Sequence, residues 1–206
     1  MRRPPGPRSA TRRLVVYGGL AAWVVACVVV GAYLLASHLL TLPTPAAADP
    51  VLRRAIAAQR HAGQRDRWLV LHVVFDDCGC SQRVLAHLLS TRRPAGVAER
   101  VVYVTEHPAE ASTGAIPAHG FELEVVTPDQ LAAEYHIEAA PLLVIVDPHD
   151  TVRYAGGYTP RKQADDVRDL AVITAVLHGE AVESLPAFGC AVGRSLRSTL
   201  DPLGIR

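Results

Sequence analysis

An eight-residue apolar run, Trp68 to Phe75, stops abruptly at Asp76-Asp77-Cys78-Gly79-Cys80. From Ser81 onward the apolar residues Val84, Leu85, Leu88 and Leu89 return at helical spacing. A valine-rich run of that length reads as a buried strand, and the pattern after it as an amphipathic helix. Two cysteines therefore sit where a strand hands over to a helix. Unpaired backbone N–H groups and the positive end of the helix dipole favour a thiolate over a thiol at such a junction. It is a place for sulfur chemistry.

A second feature decides where that chemistry happens. Leu14 to Leu40 is 27 residues without an acid, lysine or arginine. As a helix it is about 40 Å long at roughly 1.5 Å per residue, enough to cross a hydrocarbon core of roughly 30 Å. Ala46-Ala47-Ala48 could instead serve a signal peptidase, but a signal peptide's apolar region runs to only about 7–15 residues. The length argues for a retained anchor. Arg2, Arg3, Arg8, Arg12 and Arg13 precede it with no acid among them, which keeps that end in the cytoplasm and sends the remainder across a bacterial inner membrane into the periplasm.

With those five arginines set aside, 16 of the 21 basic residues face 20 acids, so the exported part is mildly acidic and has no electrostatic reason to bind nucleic acid. An oxidising compartment permits disulfides. Of four cysteines, Cys27 lies within the span and reads as a small apolar residue. Cys78, Cys80 and Cys190 remain, an odd number, so at least one is free, metal-bound or joined to a partner.

The expected organisation is a basic cytoplasmic stretch at 1–13, a transmembrane helix at 14–41, a Pro- and Ala-rich linker at 42–50, a globular domain at 51–179 and an extension at 180–206. In the domain, Pro50 opens a modest helix. After the central strand and helix, Arg100 to Thr105 and Phe121 to Thr127 read as strands, and Thr127-Pro128 starts a short helix to Tyr135. Leu142 to Val146 and Thr151 to Ala155 flank the turn Asp147 to Asp150 as a hairpin. Thr159-Pro160 then starts a long last helix closed by Gly179. Strands alternating with helices and ending in a hairpin imply an α/β domain, one mixed sheet with helices on both faces.

This order, with cysteines at the end of a central strand and Pro141 opening the hairpin, resembles the thioredoxin-like superfamily over about Leu52 to Gly179, and its membrane-anchored extracytoplasmic bacterial members in layout. The resemblance implies Cys78 at the nucleophilic position and Ser81 at the resolving one. It implies Pro141 as a cis proline that shapes the partner-binding site, and His72 at the place of a buried acid below the cysteines. The motif departs from the family pattern: Asp77 replaces the usual tryptophan, and the second cysteine has moved inward to Cys80.

Several chemistries stay open. Cys78 and Cys80 could close a tight ring around Gly79, or Cys78 could act as a single thiol. Asp76 and Asp77 oppose a thiolate electrostatically while the helix start favours it. His72 is a candidate proton acceptor or a plain core histidine. Cys190, in the apolar Leu185–Val192 segment, is a candidate resolving or structural partner for Cys80 or Cys78. The favoured function is thiol-disulfide exchange on thiols or disulfides of envelope proteins, with no cofactor. One alternative is a copper or zinc module using Cys78 and Cys80, with Cys190 and His72 or His87 completing the set; His87 reads more simply as a solvated helix residue. The other is a non-catalytic scaffold of a membrane complex. Gly156, Gly157, Tyr158, Arg161 and Lys162 read as turn chemistry and a helix start.

Overall fold

The computed structural model describes residues 7–162 and 165–200, the side chains of 7–11, 35–39 and 62 excepted. The first arginines, Arg2 and Arg3, and the end of the extension after Leu200 lie outside them. The chain divides into two compact units, Met1–Leu40 and Thr41–Arg206. The first is the helix α1, Pro7–Leu39. Its stretch Arg12–Leu34 is long and apolar enough to cross a membrane. Leu14, Val15, Trp23 and Val29 are more than half exposed on it, an apolar surface that water would not tolerate over such a length.

The second unit begins with α2, Pro50–Gln59, whose first turn is capped by Asp49: its carboxylate accepts from the N–H groups of Val51 and Leu52. The backbone bonds to Leu52, the ion pair with His136 and the bond to Val51 hold the Asp49 carboxyl below the usual range. The elements that follow are β1 (Trp68–Phe75), α3 (Gly79–Ser90), β2 (Val97–Val104), a single turn α4 (Ala115–Ala118), β3 (Glu122–Val126) and α5 (Pro128–Tyr135). Then come β4 (Ala139–Ala140), β5 (Leu142–Val146), β6 (Val152–Gly156), α6 (Asp169–Leu177), β7 (Cys190–Ala191) and α7 (Arg194–Leu200). Thr127 and Gln130 form a reciprocal capping box at the start of α5, as Thr-Pro-Asp-Gln predicts.

The main sheet runs β3-β2-β1-β5-β6. Strands β1, β2 and β3 are parallel, while β5 is antiparallel to both β1 and β6, so the sheet is mixed as expected. Alternate β1 residues feed two cores. Leu69, Leu71, Val73 and Phe75 join Leu52 and Ile56 of α2 with Leu131 and Tyr135 of α5. Val70 and Val74 join Val84 and Leu88 of α3 with Val172, Ile173 and Val176 of α6. Helices therefore cover both faces of a strand that is buried over nearly its whole length. At the far end of the sheet, the buried guanidinium of Arg60 donates to the carbonyls of Gln64, Arg67 and Asp147 and to the Asp150 carboxylate, tying the entry to β1 to the β5–β6 turn.

The last long helix starts ten residues later than Thr159-Pro160 suggests, at Asp169. The Thr159 hydroxyl donates to Arg161 O instead of capping a helix, and Arg168 N turns back to Tyr158 O. Asp169 is fully buried, where its carboxylate meets Arg93 and His87. That pairing fixes where the helix can begin.

The extension is built into the domain. Ala187 bridges Leu42, the first residue of the segment read as a linker, and β7 pairs antiparallel with β4 as a separate two-stranded sheet. Leu185 N donates to the Tyr154 hydroxyl oxygen, and Gly157 N donates to Leu185 O. The glycines at 156 and 157 are needed there, because a Cβ on either would run into the backbone of Leu185 or Pro186.

Candidate functional site

The site assembles where β1 ends. Cys78 is the N-cap of α3 in extended conformation, and its own carbonyl accepts the first helical bond from Gln82 N. The bare start of a 12-residue helix therefore lies behind its sulfur. Opposite it, the Ala140–Pro141 peptide is cis, and Ala140 pairs with Cys190 across the β4–β7 ladder. The pairing carries the tail cysteine to the helix start: Cys78 and Cys190 form a disulfide, with Cα atoms 5.9 Å apart and 112 residues between them in sequence. Cys78 Sγ also lies 3.8 Å from Ala140 O.

A mixed sheet ordered 3-2-1-5-6, a cysteine capping the helix after its central strand and a cis proline facing that cysteine settle the architecture. The fold is thioredoxin-like. No family model matches the chain, and no curated protein matches it. Among solved structures, the thioredoxin-like domain is similar to an uncharacterized conserved protein from Geobacillus kaustophilus, at 18% identity over 62% of this chain and 77% of that one, TM-score 0.49. It is also similar to the thioredoxin domain of a thiol-disulfide oxidoreductase from Bacteroides vulgatus, at 16% identity over 43% of this chain and 68% of that one, TM-score 0.33. A third likeness is to the thioredoxin-like superfamily protein SPOA0173, at 18% identity over 61% of this chain and 86% of that one, TM-score 0.38.

Of the residues expected at the site, Cys78, Cys190 and Pro141 come together, and Cys80 lies beside them. Cys80 is a free, half-buried thiol. It opens into a cleft of the thioredoxin-like domain lined by Arg83, Val84, Pro141, Tyr158 and Phe188. An Arg83 N–H points at its sulfur from 3.7 Å. Ser81, at the position the family resemblance assigns to a resolving cysteine, is buried, and its hydroxyl has no hydrogen-bond partner among the described residues.

His72 is engaged elsewhere. It projects on the α3 side of β1, whereas Cys78 belongs to the core on the other side. Its Nε2 is 2.8 Å from Glu99 Oε2 and its Nδ1 is 2.9 Å from the Tyr158 hydroxyl. Both ring nitrogens thus have partners other than sulfur. The cluster extends outward: Arg93 grips Glu99 through two nitrogens and reaches Asp169, and Asp169 holds His87 at 3.0 Å. Burial pushes the Glu99 carboxyl up, but the hydrogen bonds and charges of His72 and Arg93 outweigh it and leave Glu99 below its ordinary value. Burial likewise opposes charge on Arg93, and Glu99 and Asp169 more than offset it, so the guanidinium is held more firmly charged. Tyr158 is fully buried, and burial first, then the nearby Asp169 charge, raises it well above the ordinary tyrosine range.

Sequence reasoning did not single out Glu99, Arg93 or Asp169, and it read Tyr158 as turn chemistry. An acid inside the apolar run Val97–Val104 was the available signal, since a carboxylate in a buried strand requires a cation or a donor close by. As for metals, Cys78 is committed to the disulfide, leaving Cys80 as the free sulfur of the expected pair. Among the described residues no three His, Cys, Asp or Glu side chains converge as a ligand set.

Proposed function

We propose that this protein is a membrane-anchored, extracytoplasmic thiol-disulfide exchange protein acting on cysteines of other envelope proteins, with Cys78 and Cys190 as its exchanging pair. The observation that carries this reading is the disulfide itself, which joins the cysteine at a helix start to a tail cysteine aligned by the residue before the cis proline. A purely structural bridge has no need of a helix N-terminus at one of its sulfurs. Exchange passes two electrons between a partner's dithiol and the Cys78–Cys190 disulfide, without a cofactor. Ala139 and Ala140 pair with Ala191 and Cys190 and so align the strand that brings the second sulfur in. Arg83 sets a fixed positive charge beside Cys80.

The full chain, purified oxidised in detergent, should convert a reduced two-cysteine peptide to its disulfide while losing the Cys78–Cys190 bond. Cys78→Ser and Cys190→Ser should each abolish this turnover, and Cys80→Ser should retain it. Turnover by Cys78→Ser and Cys190→Ser at the wild-type rate would exclude the exchange reading and leave the disulfide a structural staple.

A further inference from the structure

We infer that Cys190, on the tail, is the sulfur that becomes joined to the partner protein, and that Cys78 is the sulfur that leaves. This rests on the exchange reading above and reverses the order of the two sulfurs that the family resemblance implies. An attacking thiolate approaches a disulfide in line with the S–S bond, on one sulfur, and expels the other, so access and the quality of the leaving thiolate choose between the two.

Access favours Cys190. Cys78 is 2% exposed and belongs to the apolar core with Phe75, Ala140 and Val192. An in-line attacker on Cys78 would have to come from the side away from Cys190, and a sulfur this deeply buried offers no open approach. The Arg197 guanidinium of α7 lies over the Phe75 ring at 5.0 Å and closes the top of the same core. Cys190 is half-buried on a two-residue strand near the surface, two residues beyond Phe188, which lines the open cleft.

The leaving group favours the same order. A negative charge on the Cys78 sulfur sits at the N-terminus of α3, where free N–H groups and the helix dipole stabilise it. Asp76 and Asp77 oppose that charge from half-buried and exposed positions, where solvent screens them. The partner's thiolate attacks Cys190 Sγ, the Cys78–Cys190 bond breaks, and Cys78 departs as a thiolate. The partner's second thiol, deprotonated, then attacks the partner's own sulfur in the mixed disulfide and releases Cys190. The partner dithiol has been oxidised, the Cys78–Cys190 pair has been reduced, and the two protons from the partner's thiols end on Cys78 and Cys190. Cys80 takes no part in either step.

The test uses the oxidised full chain in detergent with a single-cysteine peptide in excess, acid quenching over the first seconds, and peptide mapping by mass spectrometry. It is run on Cys80→Ser and, in parallel, on the wild-type chain with Cys80 alkylated beforehand, so that a folding defect in one does not decide the answer. The expected result is peptide on Cys190, in excess over Cys78 by about tenfold at the earliest times, with Cys78 recovered as a free thiol. Peptide appearing first on Cys78 overturns the inference and leaves the exchange reading standing. No adduct on either cysteine overturns both.

Discussion

Gly189 and Ala140 meet backbone to backbone, so closely that a Cβ on Gly189 would overlap the Ala140 carbonyl. The contact sits one residue before Cys190 and one before the cis proline, and it seats the tail strand against β4. Gly189→Ala should therefore lift the strand locally, at a cost of about 1–3 kcal/mol typical of overpacking. The expected outcome is a reduced share of Cys78–Cys190 disulfide and a Cys78 thiol that alkylates without denaturant, measured by mass spectrometry. Full disulfide occupancy in this variant would mean the tail is held by its other contacts alone.

The disulfide closes a loop of more than a hundred residues, the class that restricts the unfolded chain most. Cys190→Ser, or added reductant, should lower stability by about 2–4 kcal/mol. For a domain of this size each kcal/mol lowers Tm by about 2–4 °C, so thermal melting of the wild type should fall by roughly 10 °C on reduction, while Cys80→Ser melts unchanged.

Glu99 sets an acid limit. Its folded pKa is depressed by His72 and Arg93 below the value of about 4.3 it has in an unfolded chain. The stability it contributes is thus fully present above about pH 4.3 and is lost as pH falls through the lower folded value. Glu99→Gln should destabilise the protein at pH 7 by about 3 kcal/mol, since it leaves half-buried Arg93 with Asp169 as its remaining carboxylate partner, and should flatten the acid side of the stability curve. Denaturant melts from pH 3 to 7 measure both effects.

Arg60 should not tolerate lysine. Its planar fork reaches three carbonyls and one carboxylate from a side chain only 3% exposed. An ammonium cannot span those directions and would leave buried carbonyls unpaired. Arg60→Lys is expected to cost about 1–3 kcal/mol, read from urea midpoints.

Topology offers an independent check on the compartment. A reporter that works only outside the cytoplasm, fused after Asp49, should be active, and one that works only inside should be silent. The opposite pattern would remove the oxidising environment on which the disulfide chemistry depends.

Local order was legible in the sequence because it is written in local periodicity. Trp68–Phe75, Pro128–Tyr135 and Leu142–Val146 form the elements their apolar spacing and caps predict, and the apolar stretch ahead of the domain forms one long helix. The strand-to-helix junction fixed Cys78 at a helix start, and the mixed sheet followed from the alternation of elements. Three matters were decided only by tertiary packing. Cys190 chose Cys78 over Cys80 because β7 pairs with β4, a register set by glycines that admit no Cβ against the opposing backbone. His72 turned to Glu99 and Tyr158 because the pleat of β1 sends it to the face opposite the Cys78 core. The last helix waited for Asp169 because a buried carboxylate must find Arg93 and His87, some eighty residues earlier in the chain. Periodicity specifies which face a residue takes; which distant group meets it there depends on the packing of the whole chain.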